Sequence, residues 1–163
     1  MPKLTLDNRL VEEAFFEGQC LTGIAAPAVP DYRFCWMLNH YLGMRFERCP
    51  DLDVVLRPTP GRQPLPAGGL FAPLPQKPSS RIFFPVYRHE NRDSGLSVLL
   101  YGNRCAADRL IKEVKGVDFF MLLPDNPFMP ELERIKTCDR LQGVLWMKEI
   151  DLQAIPSKAA LIL

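Results

Sequence analysis

The sequence predicts an α+β fold, a mostly antiparallel sheet of about five or six strands with two main helices on one face. Three observations carry that reading. Short apolar runs recur along the chain between clusters of Pro, Gly, Asn and Asp, as turn-linked strands require. Residues 31–43 hold one apolar stripe at helical spacing, with a start and a stop signal. The element order β-α-β-β-β-(α)-β-α-β lacks the regular alternation of a parallel sheet and gathers its helices on one side.

Residues 4–19 are ambiguous: Leu4 and Leu6 alternate as in a strand, whereas Leu10, Val11, Ala14 and Phe15 recur as in a helix. The run 20–25 reads as a strand ended by Pro27 and Pro30. Helix 32–42 follows, with Asp31 as its N-cap, Phe34, Cys35, Leu38, Tyr41 and Leu42 as its apolar stripe and Gly43 as its left-handed end. Residues 45–57 read as a strand. Ile82 to Tyr87 reads as another, and Pro85 within it marks an edge or a bulge. A turn over 89–95 leads into strand 96–101 and makes a hairpin. Residues 106–115 predict a short helix that buries Leu110, Ile111 and Val114 and stops at Gly116. The apolar run 117–123 predicts a strand buried on both faces. A second main helix begins within 127–130, where a proline fits the first turn, and turns Phe128, Leu132 and Ile135 inward. The last strand lies at about 141–150, and the apolar tail 159–163 is expected to dock.

The 163 residues suit a single domain over 1–163. A chain of this size buries roughly 70% of its unfolded surface, enough to fold without a disulfide or a structural metal. Net charge is +1, so the basic excess of a dedicated nucleic-acid binder is missing overall. Five cysteines at wide spacing, with no C-x-x-C pair, read as free thiols rather than a disulfide framework or a zinc site. The amino terminus has no apolar signal region, and no apolar run approaches the ~18 residues of a membrane span. A cytoplasmic location is expected.

Between Arg57 and Pro78 the composition changes: seven prolines and three glycines fall within 22 residues. Proline lacks an amide donor and glycine is costly to order, so the 57–78 stretch reads as a long loop insertion, partly polyproline-like.

Three blocks of the chain resemble the IPExxxVDY family, small Bacteroidetes proteins of unknown function. The motif stands here as Ile111-Lys112-Glu113-Val114-Lys115-Gly116-Val117-Asp118-Phe119, with Ile111, Glu113, Val117 and Asp118 matching. Lys112 replaces the family's proline and Phe119 its tyrosine. The helix opening Asp31-Tyr32-Arg33-Phe34 and the upstream pair Gly23-Ile24 fit as well. The resemblance implies a small cytosolic bacterial protein with no assigned activity. Family members are often encoded near ribonuclease III and fatty-acid synthesis genes, an association without a mechanism.

Asp118 is the sharpest polar oddity, a carboxylate at the mouth of an apolar strand. It is either a general base or ligand, or else a cap or ion-pair partner, with Arg33 one candidate. Glu113 reads as a solvated side chain and His40 as a surface residue. His89, beside Glu90 in a turn, would titrate near the ordinary histidine value. No nucleotide-binding, metalloprotease or hydrolase motif occurs, so no catalytic residue, metal, cofactor or small-molecule site is expected.

The region 57–92 holds Arg57, Arg62, Lys77, Arg81, Arg88 and Arg92 against one acidic residue, Glu90. Two functions follow as expectations. The first is a non-enzymatic adaptor that docks a protein partner, or itself, through Leu70, Phe71, Leu74, Lys77, Arg81 and the edge strand at Pro85. The alternative is an accessory RNA-binding protein using Arg57, Arg62, Arg81, Arg88 and Arg92 on phosphates, with Phe71, Phe83 or Tyr87 for stacking.

Overall fold

A computed structural model describes residues 8–56 and 81–163. The expected loop 57–78 and residues 1–7 lie outside the described residues. The α+β class is correct. Six antiparallel strands form one sheet in the order β10-β1-β9-β6-β5-β2. Their ranges are β1 Gln19–Ala25, β2 Glu47–Arg48, β5 Val86–Asn91, β6 Leu96–Gly102, β9 Phe119–Pro124 and β10 Trp146–Ile150. Two small ribbons lie beside it: β3 (Val54–Leu56) with β4 (Ile82–Phe84), and β7 (Arg104–Cys105) with β8 (Asp108–Arg109). The helices are α1 (Arg9–Phe16), α2 (Asp31–Leu42) and α3 (Pro130–Lys136).

Period-2 alternation along the central strands feeds two cores. On β9, Phe119, Met121 and Leu123 face one side, whereas Phe120 and Leu122 face the other. The first side is covered by Phe34, Leu38 and Leu42 of α2 and by Leu132 and Ile135 of α3. This places the two main helices on one face, as expected. The second side is closed by Phe16 of α1, by Leu110, Ile111 and Val117, and by Ile155 and Leu161 of the tail. The tail does dock: Leu161 is fully buried and its carbonyl accepts the Tyr101 hydroxyl at 2.7 Å.

Several expectations are corrected. Residues 9–16 are helical, which resolves the described part of the ambiguous 4–19 stretch. Pro30, not Asp31, is the N-cap of α2. Asp31 opens the first turn, and its carboxylate accepts the Tyr87 hydroxyl at 2.8 Å. Gly43 ends the helix as expected, with φ +65° and its N–H on the Leu38 carbonyl. Tyr41 is 62% exposed and lies off the buried stripe. The 45–57 strand is two short strands separated by a 3-10 turn at Pro50–Leu52. Pro85 breaks the 82–87 strand, so that β4 joins one sheet and β5 the other. Phe128 is 91% exposed and takes no part in the inward face of α3. The last strand begins at Trp146 rather than 141.

The largest correction falls on 106–115, which is not a helix. The chain makes the tight β7–β8 ribbon, with Ala106 at φ +53°, and then a run of bends to Asp118. Leu110 and Ile111 are nonetheless buried, so the apolar pattern reported burial but not conformation.

Candidate functional site

Residues 111–119 lie where the chain, having left β6 at Gly102, re-enters the sheet at Phe119. Asn103, fully buried, organises this excursion. Its Nδ2 donates to the Val117 carbonyl at 2.8 Å and the Ile111 carbonyl at 3.4 Å, and its Oδ1 accepts the Ile111 N–H at 2.8 Å. Its own N–H donates to the Asp118 carbonyl at 2.9 Å. One amide side chain therefore substitutes for the ladder that this irregular segment lacks.

Asp118 is 4% exposed and fully engaged. Its Oδ2 accepts the Ala26 N–H at 2.8 Å, and Arg104 Nε lies 3.0 Å from its Oδ1. Arg109, opposite Arg104 in the β7–β8 register, places Nη1 3.9 Å from the same oxygen and donates to the Val117 carbonyl at 2.7 Å. Arg104 Nη2 donates to the Pro27 carbonyl at 2.8 Å. Of the two expected roles for Asp118, the ion-pair reading matches the geometry, but the partners are Arg104 and Arg109, not Arg33. The other residues of the 111–119 stretch are structural in placement. Ile111 and Val117 are fully buried, and Phe119 stacks on Phe34 at 4.5 Å between ring centres. Glu113 is exposed and accepts the Ser157 hydroxyl at 2.8 Å. Its own backbone amide and then Ser157 hold its carboxyl below the usual range.

Beside this junction lies an open groove of about 380 Å³. Its lining includes Phe83 and Pro85, Arg104 to Ala106 of the β7–β8 ribbon, and Pro30 and Asp31 at the start of α2. Pro85 is half-buried: its ring packs over Gly102, and its carbonyl accepts the Gly102 N–H at 2.9 Å. Above the groove the β3–β4 ribbon sets Val55 directly opposite Phe83. Both are exposed, at 41% and 51%.

The expected docking residues Leu70, Phe71, Leu74 and Lys77, and the expected RNA contacts Arg57 and Arg62, lie outside the described residues. Arg81 and Arg92 are exposed. Arg88 pairs with Glu90 at 3.2 Å. Tyr87 is corrected: it is 7% exposed, with its hydroxyl on Asp31 and Arg48 over its ring, and offers no face to a base. Burial, and then the Asp31 contact, drive its phenol far above the ordinary value.

His89 lies in strand β5, not in a turn, and is buried. Its Nδ1 accepts the Arg45 N–H at 2.9 Å, and burial lowers its pKa. His40 is a surface residue, as expected, stacked on Trp36 at 4.8 Å. With Tyr32 and Tyr41 these side chains give α2 an exposed aromatic outer face. The five cysteines are free thiols. Burial pushes Cys35 up to about 11 and Cys138 up to about 12. Among the described residues no group of three or more His, Cys, Asp or Glu side chains could hold a metal ion. No helix among them is long and apolar enough to cross a membrane.

Asn103, Arg104 and Arg109 escaped the sequence reading. Their roles come from a ribbon whose turn, Ala106-Ala107, carries none of the usual Gly or Asn signals. No family model, curated protein or solved structure matches the chain.

Proposed function

We propose that this domain is a non-enzymatic protein-binding module that seats an extended partner segment on the β3–β4 ribbon and in the groove beside Pro85. The observation that carries the reading is the Val55–Phe83 cross-strand pair, two large apolar side chains left open side by side. Such a pair in contact on a ribbon costs surface free energy that a docked apolar residue would recover, about 1–2 kcal/mol. Among the described residues β3 pairs with β4 alone, so its outer edge can take a third strand. The charged groups under the groove favour recognition over chemistry, because the Asp118 carboxylate is already spent on Arg104 and the Ala26 amide. The overall charge of +1 and the burial of Tyr87 weigh against the RNA-binding alternative.

A photo-crosslinking residue at position 83, in the full chain expressed in its own cell, should give a discrete protein adduct. Val55→Asp should weaken that adduct about tenfold or more, with the thermal midpoint of the domain preserved. An adduct indifferent to Val55→Asp would overturn the reading. Retained RNA whose binding falls steeply with salt would replace it with the RNA-binding one.

A further inference from the structure

On the helix-covered face of the sheet, a cavity of about 360 Å³ opens between α3 and the strands β1, β9 and β10. Its inner surface is apolar: Leu123, Leu132, Ile135 and Met147. One polar group sits in that surface. Thr22 is 6% exposed and lines the cavity, and its hydroxyl has no hydrogen-bond partner among the described residues. The residue is buried but its hydroxyl opens into the cavity with no partner among the described residues, so it is free to bond a visitor.

The cavity rim selects the sign of that visitor. Thr22 stands directly opposite Glu149 in the β1–β10 register, so a carboxylate hangs over the same face as the hydroxyl. Asp125 and Asp139 complete the acidic side. None of the three carboxylates has an ion pair or a side-chain hydrogen bond among the described residues. Two lysines stand against these three carboxylates and leave the rim acidic on balance: Lys136 bonds the exposed Glu133 at 2.6 Å, and Lys148 lies over the Trp146 ring at 4.7 Å.

We propose that this cavity binds a small amphiphilic amine, a protonated ammonium group on an apolar chain or ring. The ammonium donates to Thr22 Oγ1 and to the Glu149 carboxylate, and the apolar body lies against Leu132, Ile135 and Met147. The volume falls within the usual size of small-ligand sites, and an apolar lining with a few convergent polar groups is their usual composition. Cys20, half-buried at the mouth, supplies a reporter thiol.

The test titrates the full chain with n-octylamine, n-octanoate and 1-octanol at neutral pH. It follows the Met147 methyl resonance and the rate of Cys20 alkylation by N-ethylmaleimide, mapped by mass spectrometry. Octylammonium should shift Met147, protect Cys20, and bind about tenfold or more tightly than octanoate. Glu149→Gln, a change at an exposed side chain, should weaken octylammonium about tenfold and leave octanol unmoved. Cys20→Phe should block the mouth and remove all three ligands; should it unfold the chain, Glu149→Gln decides alone. The proposal fails if octanoate binds as well as octylammonium, if Glu149→Gln changes nothing, or if octylammonium leaves Met147 and Cys20 untouched.

Discussion

Arg104 Nε lies 3.0 Å from Asp118 Oδ1, and through that contact the β7–β8 ribbon is tied to the start of β9. The second carboxylate oxygen reaches across to the Ala26 amide at the end of β1, so one side chain joins three segments. Removing it would leave the Ala26 N–H unpaired in a fully buried position. Asp118→Ala should therefore destabilise the domain by about 2–4 kcal/mol. Asp118→Asn keeps an acceptor for Ala26 and should cost about 1–2 kcal/mol. Arg104, one-third exposed, can turn to water, and Arg104→Ala should fall nearer the smaller value. Urea midpoints for the three variants check the order; equal losses for Asn and Ala would refute the amide argument.

Asn103 makes a second prediction. Its side chain holds Ile111 from both its N–H and its C=O, and Val117 from its C=O. Asn103→Ala takes this partner from the Ile111 N–H and C=O and leaves the Val117 carbonyl with Arg109 alone, at a cost of about 2–3 kcal/mol. The loss should be local before it is global. In hydrogen exchange the Ile111 amide should lose protection ahead of the Met121 amide, which sits in the central ladder. Simultaneous loss at both would show that Asn103 is not the pin of the excursion.

Elements whose signals are local were legible in the sequence. Helix α2 carries its stripe and its Gly43 stop within a dozen residues. The β5–β6 hairpin carries its own polar turn at 92–95. The 103–118 excursion was not legible, because its conformation is set by Asn103, outside the periodic window that suggested a helix. Leu110, Ile111 and Val114 satisfy helical spacing, but the first two are held by Asn103, whose side chain bonds Ile111 and whose main-chain carbonyl accepts the Leu110 N–H at 3.1 Å. Tyr87 was misplaced for a related reason. It lies in a strand that gains a second neighbour, β2, of only two residues, too short for any pattern to announce. Asp118 stood out as a polar residue on an apolar run, but its guanidinium partners did not. They converge only once a ribbon with an Ala-Ala turn has formed.

Gly102 is where the sheet bears directly on the groove. A Cβ there would lie 2.7 Å from Pro85 Cγ and 3.0 Å from its Cδ. The proline ring cannot rotate away, and its carbonyl is held by the Gly102 N–H. Gly102→Ala should therefore cost about 1–3 kcal/mol as an overpacking change and widen the angle between β4 and β5. At Gly23 the nearest atoms are side-chain carbons of Ile150 and Val117 at 3.1 Å, which can shift. Gly23→Ala should be the milder variant. Thermal melts of the pair check this, and the reverse order would sink the explanation.

His89 gives the stability a pH dependence whose sign is fixed by its surroundings. Burial holds its pKa below the ordinary 6.5. The Arg45 N–H donates to Nδ1, so that nitrogen cannot take a proton without losing a 2.9 Å bond. The charges nearby oppose each other: Arg45 disfavours the imidazolium and Glu131 of α3 favours it. Below 6.5 the unfolded chain binds a proton that the folded chain refuses, so stability falls with pH until the folded pKa is reached. The slope contributed by this one site cannot exceed about 1.4 kcal/mol per pH unit. In His89→Asn the Oδ1 can still accept the Arg45 N–H, but the site no longer titrates. Chemical-denaturation curves from pH 7.5 to pH 5 should show the wild type losing stability faster than this variant below about 6.5, whatever their offset at neutral pH. Carboxylates titrate alike in both proteins, so the difference between the curves isolates the imidazole. Parallel curves would mean that His89 is protonated in the fold as readily as in the unfolded chain, and that the Arg45 contact does not hold it neutral.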